Sequence, residues 1–353
     1  MHMADALLST PVAGVMIAAS ASAAAVSVYK MKQENEPKKI AVMGVMGALV
    51  FGAQMINFTI PGTGSSGHLC GGMLVSAVLG PFDGFITMIG VLLLQCLLFA
   101  DGGLLALGAN IWNMAFYGCF IGALLIWHPI MNKMKASGKD MSVRIMVTSI
   151  IGSVLTLQLG AFSVVMETML SGITELPFTW FVSVMQPIHL AIGLGEGLIT
   201  GAVLIFIYKA RPAMLWGVDP AVTGKPSKLA WKEMLAVLLV VAALLTFAIS
   251  NFASSNPDGL EWSIEKLTGS TELDEKEDAA HTASAEIQEG TALLPDYSLK
   301  PAEGEEEAAA APTVTGILVA VSIVAAAGVT AVVVRNVRRR KKQADESDRK
   351  QTA

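Results

Sequence analysis

The chain has 353 residues, of which 53% are strongly apolar; counting glycine and leaving out tyrosine brings that to about 61%, against about 45–50% in soluble domains. Only 15% of residues are charged, the formal net charge is −5 and mean hydropathy is +0.58. This composition excludes a soluble enzyme, a disordered chain and a nucleic-acid-binding protein, and its apolar runs reach the roughly 20 residues of a bilayer crossing.

The first predicted span, Pro11–Tyr29, ends at Lys30 and Lys32. Its positive charge follows the apolar run, and the first ten residues hold no Lys or Arg, the reverse of a signal peptide, so it reads as retained. Ile40–Phe58 is the second span. The stretch Leu69–Ala100 is interrupted by Gly80-Pro81-Phe82-Asp83-Gly84 and reads as two spans, the first about 11 residues long. So short a helix survives in lipid only when neighbours shield it or it lines a cavity. Leu104–Trp127, Ile145–Leu170, Phe181–Tyr208, Ala230–Asn251 and Val314–Val334 bring the count to nine.

Positive charge supports that count. With the N-terminus outside, nine crossings place 21 of the 24 basic residues inside and leave Lys266, Lys276 and Lys300 in one external loop. The expectation is an all-α polytopic protein of the plasma membrane, in contact with lipid, N-terminus outside and C-terminus inside. The three cysteines lie in apolar stretches, which argues against a disulfide framework. The loop 251–312 holds 15 acidic and 3 basic residues; residues 271–312 are expected to be solvated and without fixed structure, although an acidic funnel that attracts cations is the other reading.

Candidate chemistry comes from polar residues that a membrane protein otherwise avoids. There is no phosphate-binding Gly-x-x-x-x-Gly-Lys loop, and no His-Glu-x-x-His zinc motif. At Met1-His2, a free amine, the His2 backbone nitrogen and the His2 imidazole can close two fused chelate rings on one metal, leaving a fourth position open. A nitrogen square suits Ni(II) or Cu(II); alone, a histidine at position two can equally be accidental. The outer loop from Asn57 to His68, rich in Gly, Ser and Pro, offers His68 as the fourth nitrogen, or else holds a hydrogen-bonded interfacial histidine. His189 and Glu196, seven residues apart in the seventh span, share a helix face; ionisable residues in a membrane helix are costly and point to function, with a structural hydrogen-bonded pair as the alternative. Glu167, near the end of the sixth span, is expected to reach the outer interface. The small residues Gly44, Ala48 and Gly52 form a smooth stripe, for internal packing or for docking a partner helix.

Together, Met1-His2-Met3, Asn57-Phe58 with Gly67-His68-Leu69, Asp101-Gly-Gly with Leu107-Gly-Ala-Asn110, and His189-Leu-x-Ile-Gly-x-x-Glu196-Gly resemble the CbiM/NikM family. These are substrate-binding membrane components of energy-coupling-factor cobalt and nickel transporters. The likeness covers roughly Met1–Pro212, and Pro257-Asp258-Gly259-Leu260-Glu261 is similar to the PDGLE module that accompanies CbiM in place of a small CbiN/NikN subunit. The resemblance implies that the Met1 amine, both His2 nitrogens and His68 hold the metal. Asn57, Asp101, Asn110, His189 and Glu196 are expected around the site or along the pathway, with Gly44, Ala48 and Gly52 meeting the coupling subunit.

The implied organisation is a metal-binding component over 1–212, a cytoplasmic linker over 213–229, a PDGLE module over 230–334 and a basic tail over 335–353. No cofactor is implied besides the transported Co(II) or Ni(II). Expected partners are a transmembrane coupling subunit and cytoplasmic ATPase subunits, with no nucleic acid. The family usually has a glycine soon after Met-His; here Ala4-Asp5-Ala6-Leu7-Leu8 has none, which leaves the path of that segment open. Two other readings stand beside this one: a membrane-embedded enzyme using His189 and Glu196 as acid and base, and a stand-alone metal channel or sensor.

Overall fold

Helices dominate because apolar segments in lipid must satisfy their own backbone hydrogen bonds. In the computed structural model the residues described are 1–34, 37–132, 139–218, 228–245, 253–271, 273 and 278–295. Helix α1 (Thr10–Glu34) and α2 (Pro37–Gln54) lead into a hairpin of β1 (Phe58–Ile60) and β2 (Ser65–Gly67), antiparallel with Phe58 opposite Gly67. Then come α3 (Gly72–Leu79), α4 (Pro81–Phe99), and α5 (Leu107–Met131), whose middle part Ile111–Trp127 has π-helical winding. The long α6 (Lys139–Ser171) and α7 (Phe178–Ala210) pack along each other. The chain continues through α8 (Trp231–Leu244), α9 (Gly259–Thr268) and α10 (Ala279–Thr291).

Among the described residues, five helices are long and apolar enough to cross a membrane: Thr10–Gln33, Pro81–Phe99, Leu107–Met131, Met141–Ser171 and Phe178–Ala210. Exposed Leu155, Leu159 and Phe162 on α6, and Leu190, Leu194 and Leu198 on α7, recur at helical spacing as a lipid-facing surface requires. The broken stretch does divide at Gly80-Pro81, and its first part, α3, is eight residues long with every residue buried, shielded as a short membrane helix must be. Ile40–Phe58 is helical only to Gln54 and then turns into the hairpin. Of the span expected over Ala230–Asn251, helix α8 is described to Leu244. The expected span Val314–Val334 and the basic tail lie outside the described residues.

Two expectations are corrected. The acidic segment is not without structure throughout, because α10 forms within it: Asp278 caps the helix by accepting from the Ala280 and His281 amides, and the Ala-rich sequence that follows has high helix propensity. Glu167 does not reach an interface; it is buried and accepts a 2.7 Å hydrogen bond from Asn113 Nδ2. Of the small-residue stripe, Ala48 is 5% exposed, Gly52 is buried and Gly44 is half-buried, in a helix whose neighbours include α3, α4 and α8 of this same chain, so Ala48 and Gly52 follow the internal-packing alternative.

Candidate metal centre

The site begins with the first eight residues, which form an extended strap closed by a short 3₁₀ turn at Asp5–Leu7. Asn110 grips the strap from both sides: its Oδ1 accepts from Met3 N at 2.7 Å and its Nδ2 donates to Met3 O at 3.1 Å. Gly103 N donates to the same carbonyl at 2.9 Å, and Asp5 Oδ1 accepts from Ala106 N at 2.8 Å. The Asp101-Gly-Gly loop comes this close because Gly102 has φ +82° and a Cβ there would stand 2.8 Å from Asn110 Nδ2 and 3.2 Å from His2 Cβ. The strap needs no glycine of its own: Ala4 has φ −79° and Leu8 φ −123°, and the only non-glycine with positive φ among the described residues is Ala100.

The second contribution is the segment leaving β2. Glu196 of α7 accepts from Cys70 N at 2.9 Å and Gly71 N at 3.1 Å, and Gln54 Nε2 donates to Cys70 O at 2.8 Å. With the backbone anchored two residues further on, at Cys70, His68 Nδ1 lies 3.1 Å from the Leu69 carbonyl. A carbonyl can only accept, so Nδ1 carries the proton and Nε2 presents its lone pair. That lone pair meets the Met1 amine at 2.8 Å. Two nitrogens at right angles about a divalent metal, with bonds of about 2.0 Å as for zinc–imidazole, are about 2.8 Å apart. The His2 ring lies nearly parallel to that of His68, at 19° with centroids 5.2 Å apart. Its Nδ1 is 3.0 Å from Asp101 Oδ1, and its Nε2 is buried without a hydrogen-bond partner among the described residues. No cluster of three or more His, Cys, Asp and Glu side chains able to hold a metal occurs among those residues; the donors gathered here include main-chain nitrogens.

The third contribution was not foreseen. Asp258, the acidic residue of Pro257-Asp258-Gly259-Leu260-Glu261, forms an ion pair through Oδ2 with the Met1 amine, and the same oxygen is 3.7 Å from His68 Nε2. Its other oxygen caps α9, accepting from Leu260 N at 2.7 Å and Glu261 N at 2.9 Å, while Glu261 returns the contact by accepting from Asp258 N. Pro257 O accepts from Ser66 N at 2.8 Å, and Leu260 is buried. Gly259 lies flush on α7, where a Cβ would stand 2.7 Å from Ile192 Cδ1 and 3.0 Å from His189 Cε1. Burial opposes charge on the Met1 amine, but the Asp258 carboxylate carries its pKa above the ordinary value. Burial and the adjacent amine together depress His68, and that amine holds the Asp258 carboxyl far below its usual range despite burial.

His189 and Glu196 do not bond to each other: His189 Nδ1 is 2.8 Å from Met185 O, whereas Glu196 takes the amides of Cys70 and Gly71. His189 Nε2 is buried without a hydrogen-bond partner among the described residues and borders a cavity of about 10 Å³, room for one water or one ion, shared with Met1, His68, Cys70 and Asp258. Asn57 uses its carbonyl, which accepts from Ser254 N at 2.7 Å.

Helix α10 also reaches the centre. His281 Nε2 contacts Leu8 O at 3.0 Å, Ser284 donates to Asp5 Oδ2, and Gln288 donates to Gly102 O at 2.7 Å. Asp278 as a helix cap before an Ala-rich run was the one available signal for this helix; nothing in the spacing of His281, Ser284 and Gln288 pointed to the strap.

Apolar spans closing over a nitrogen-lined centre define a membrane-embedded transport component. The chain belongs to the CbiM family, described as the cobalt uptake substrate-specific transmembrane region, which it matches over residues 2–214; residues 232–336 match the PDGLE domain. It is similar to a protein of Archaeoglobus fulgidus named as a fused nickel transport protein, NikMN, with 31% identity over 85% of this chain and 88% of that one. It is also similar to the cobalt transport protein CbiM of Geobacter sulfurreducens, with 25% identity over 76% of this chain and 77% of the relative. Among solved structures, a transition metal transporter matches with a TM-score of 0.50 and 28% identity, over 59% of this chain and 93% of its own. The protein is therefore a multi-pass membrane component of cobalt or nickel transport of the CbiM/NikM type, and not an enzyme.

Proposed function

We propose that the protein captures Co(II) or Ni(II) from outside the cell and delivers it inward as the substrate-specific component of an energy-coupling-factor transporter. A separate transmembrane subunit would couple it to cytoplasmic ATPase subunits. Four nitrogens hold the metal: the Met1 amine, the His2 amide, the His2 imidazole and His68 Nε2. The observation that carries this reading is the 2.8 Å separation of the Met1 amine and His68 Nε2, the spacing of neighbouring corners in a nitrogen square. The chelate ring through the His2 amide would close on Nδ1, the nitrogen that faces Asp101 at 3.0 Å in this structure, so the His2 ring would have to leave that contact on loading. A planar nitrogen set suits Ni(II).

Outer-face capture is supported by the charge pattern, which leaves 3 of 24 basic residues in the segment that meets the strap and the ligand loop. Metal content is the test. One residue added before Met1 removes the amine from register, so the purified variant should lose bound Ni(II), as should His2→Ala and His68→Ala, whereas His128→Ala should keep it. Intact mass of the purified protein checks whether the chain begins at Met1. Full occupancy in the extended variant would sink the four-nitrogen site. Because the amine and the amide must both give up a proton, affinity should rise with pH.

A further inference from the structure

The family match separates a metal-binding region from a PDGLE region, yet the structure joins them at one atom. The Met1 amine has two partners, His68 Nε2 at 2.8 Å and Asp258 Oδ2. The first partner is the neighbouring corner of the proposed nitrogen square; the second approaches the same nitrogen from α9. A metal-bound amine keeps two N–H bonds, so it can coordinate and still donate to Asp258. Charge leads to the same conclusion. Without metal, the ligand set carries +1, on the ammonium. A divalent ion that displaces two protons, one from the ammonium and one from the His2 amide, leaves the set again at +1.

The nearest counter-charge is the Asp258 carboxylate, whose side chain is 13% exposed and which meets the amine of a buried Met1. A buried +1 without a partner is costly, and a carboxylate at hydrogen-bond range balances it in both states. The carboxylate is held in place by α9 itself. Asp258 Oδ1 caps that helix, Pro257 O and Asn256 O take hydrogen bonds from Ser66, one position before Gly67-His68, and Trp262 Nε1 donates to Thr63 O at 3.1 Å.

Resting on the four-nitrogen reading above, we infer that Asp258 is a positioning and charge-balancing residue of the metal centre: the PDGLE module completes the site in the same chain by holding the Met1 amine toward the metal from outside the coordination square.

The test uses the full-length protein with Thr59→Cys and Ser254→Cys, which replace two hydroxyls 3.0 Å apart on the hairpin and on the segment leading to α9. Their disulfide keeps α9 seated whatever is done to Asp258. In that background Asp258→Asn keeps the size of the side chain and, with its oxygen on the Leu260 and Glu261 amides, the helix cap, while an NH₂ group takes the place of the oxygen that faces the Met1 amine, so the charge and that acceptor are lost together. Ni(II) affinity should fall 10–100-fold, the range for residues that orient metal ligands. The visible absorption band of bound Ni(II) should keep its position, because the four nitrogens are unchanged. An affinity that stays equal or rises overturns the proposal, as does a shifted band, which would make Asp258 a ligand. If the cross-linked protein with Asp258 intact binds no Ni(II), the nitrogen site itself fails rather than the role of Asp258.

Discussion

The hydroxyl of Ser284 donates to Asp5 Oδ2 at 2.6 Å, joining two residues 279 positions apart. Asp5 Oδ1 meanwhile accepts from Ala106 N, so one carboxylate ties the strap to the Asp101-Gly-Gly loop on one side and to α10 on the other. The strap carrying Met1 and His2 is thus held by both halves of the chain.

Ser284→Ala should therefore act at a distance on the metal centre. It leaves a buried carboxylate oxygen without its donor, at a cost of about 1–3 kcal/mol. Thermal unfolding should shift down accordingly, and Ni(II) affinity should fall while His2 and His68 remain intact. A variant with wild-type unfolding and affinity would show that α10 is not needed to seat the strap.

Glu196→Gln tests the other wall. The carboxylate accepts from two amides, Cys70 N and Gly71 N. A glutamine side chain has one acceptor oxygen and turns an NH₂ group toward the second donor, leaving it unpaired. The backbone after His68 loosens, so affinity should drop about 10–100-fold, with unfolding affected by about 1–3 kcal/mol. His189→Gln should leave the two amides paired and the backbone after His68 in place, since His189 bonds to Met185 instead. Equal losses of metal in both variants would mean the two residues act as a unit.

A pH dependence follows from the seat of α10. His281 Nδ1 faces Asp278 Oδ1 at 2.9 Å, and Nε2 faces Leu8 O at 3.0 Å and Asp5 O at 3.3 Å. All three partners are acceptors, so both ring nitrogens must carry protons to satisfy them. Burial opposes that charge, but the Asp278 hydrogen bond raises the His281 pKa above its ordinary 6.5. The His281 hydrogen bond in turn draws Asp278 down from 3.8 to about 2. A raised histidine stabilises below its unfolded pKa and loses that effect as pH rises through the folded one; a depressed aspartate stabilises above 3.8 and loses it as pH falls toward 2. The seat is therefore firmest between about pH 4 and 6.5. Amide hydrogen exchange over 279–291, corrected for the intrinsic rate, should be slower at pH 6 than at pH 8.5. His281→Gln should remove the difference.

Orientation can be read by cysteine labelling in intact cells. Ser270→Cys, exposed just after α9, should react with an impermeant reagent. Ser137→Cys, whose position lies outside the described residues, should react only after permeabilisation. Labelling of Ser137→Cys in intact cells would reverse the proposed orientation.

Much of the architecture was determined by sequence alone. Apolar runs, four of the five with Lys or Arg at one end, marked the long helices, because a bilayer accepts nothing but length, apolarity and internally satisfied backbone. Gly80-Pro81 marked the break between α3 and α4, since a proline fits the first turn of a helix, where its missing N–H has no partner to lose, and Gly80 before it takes φ +88°. Met1, His2 and His68 could be singled out as nitrogen donors because their chemistry is local. Their meeting could not, for it depends on contacts 67 residues apart in the chain. The grip of Glu196 on the amides after His68, the burial of Glu167 against Asn113, the use of Ala48 in internal packing, and above all Asp258 on the Met1 amine were decided only in three dimensions. No periodicity records which helix face meets which loop. A single carboxylate in an acidic stretch acquires meaning only when burial leaves it as the nearest counter-charge of a buried amine.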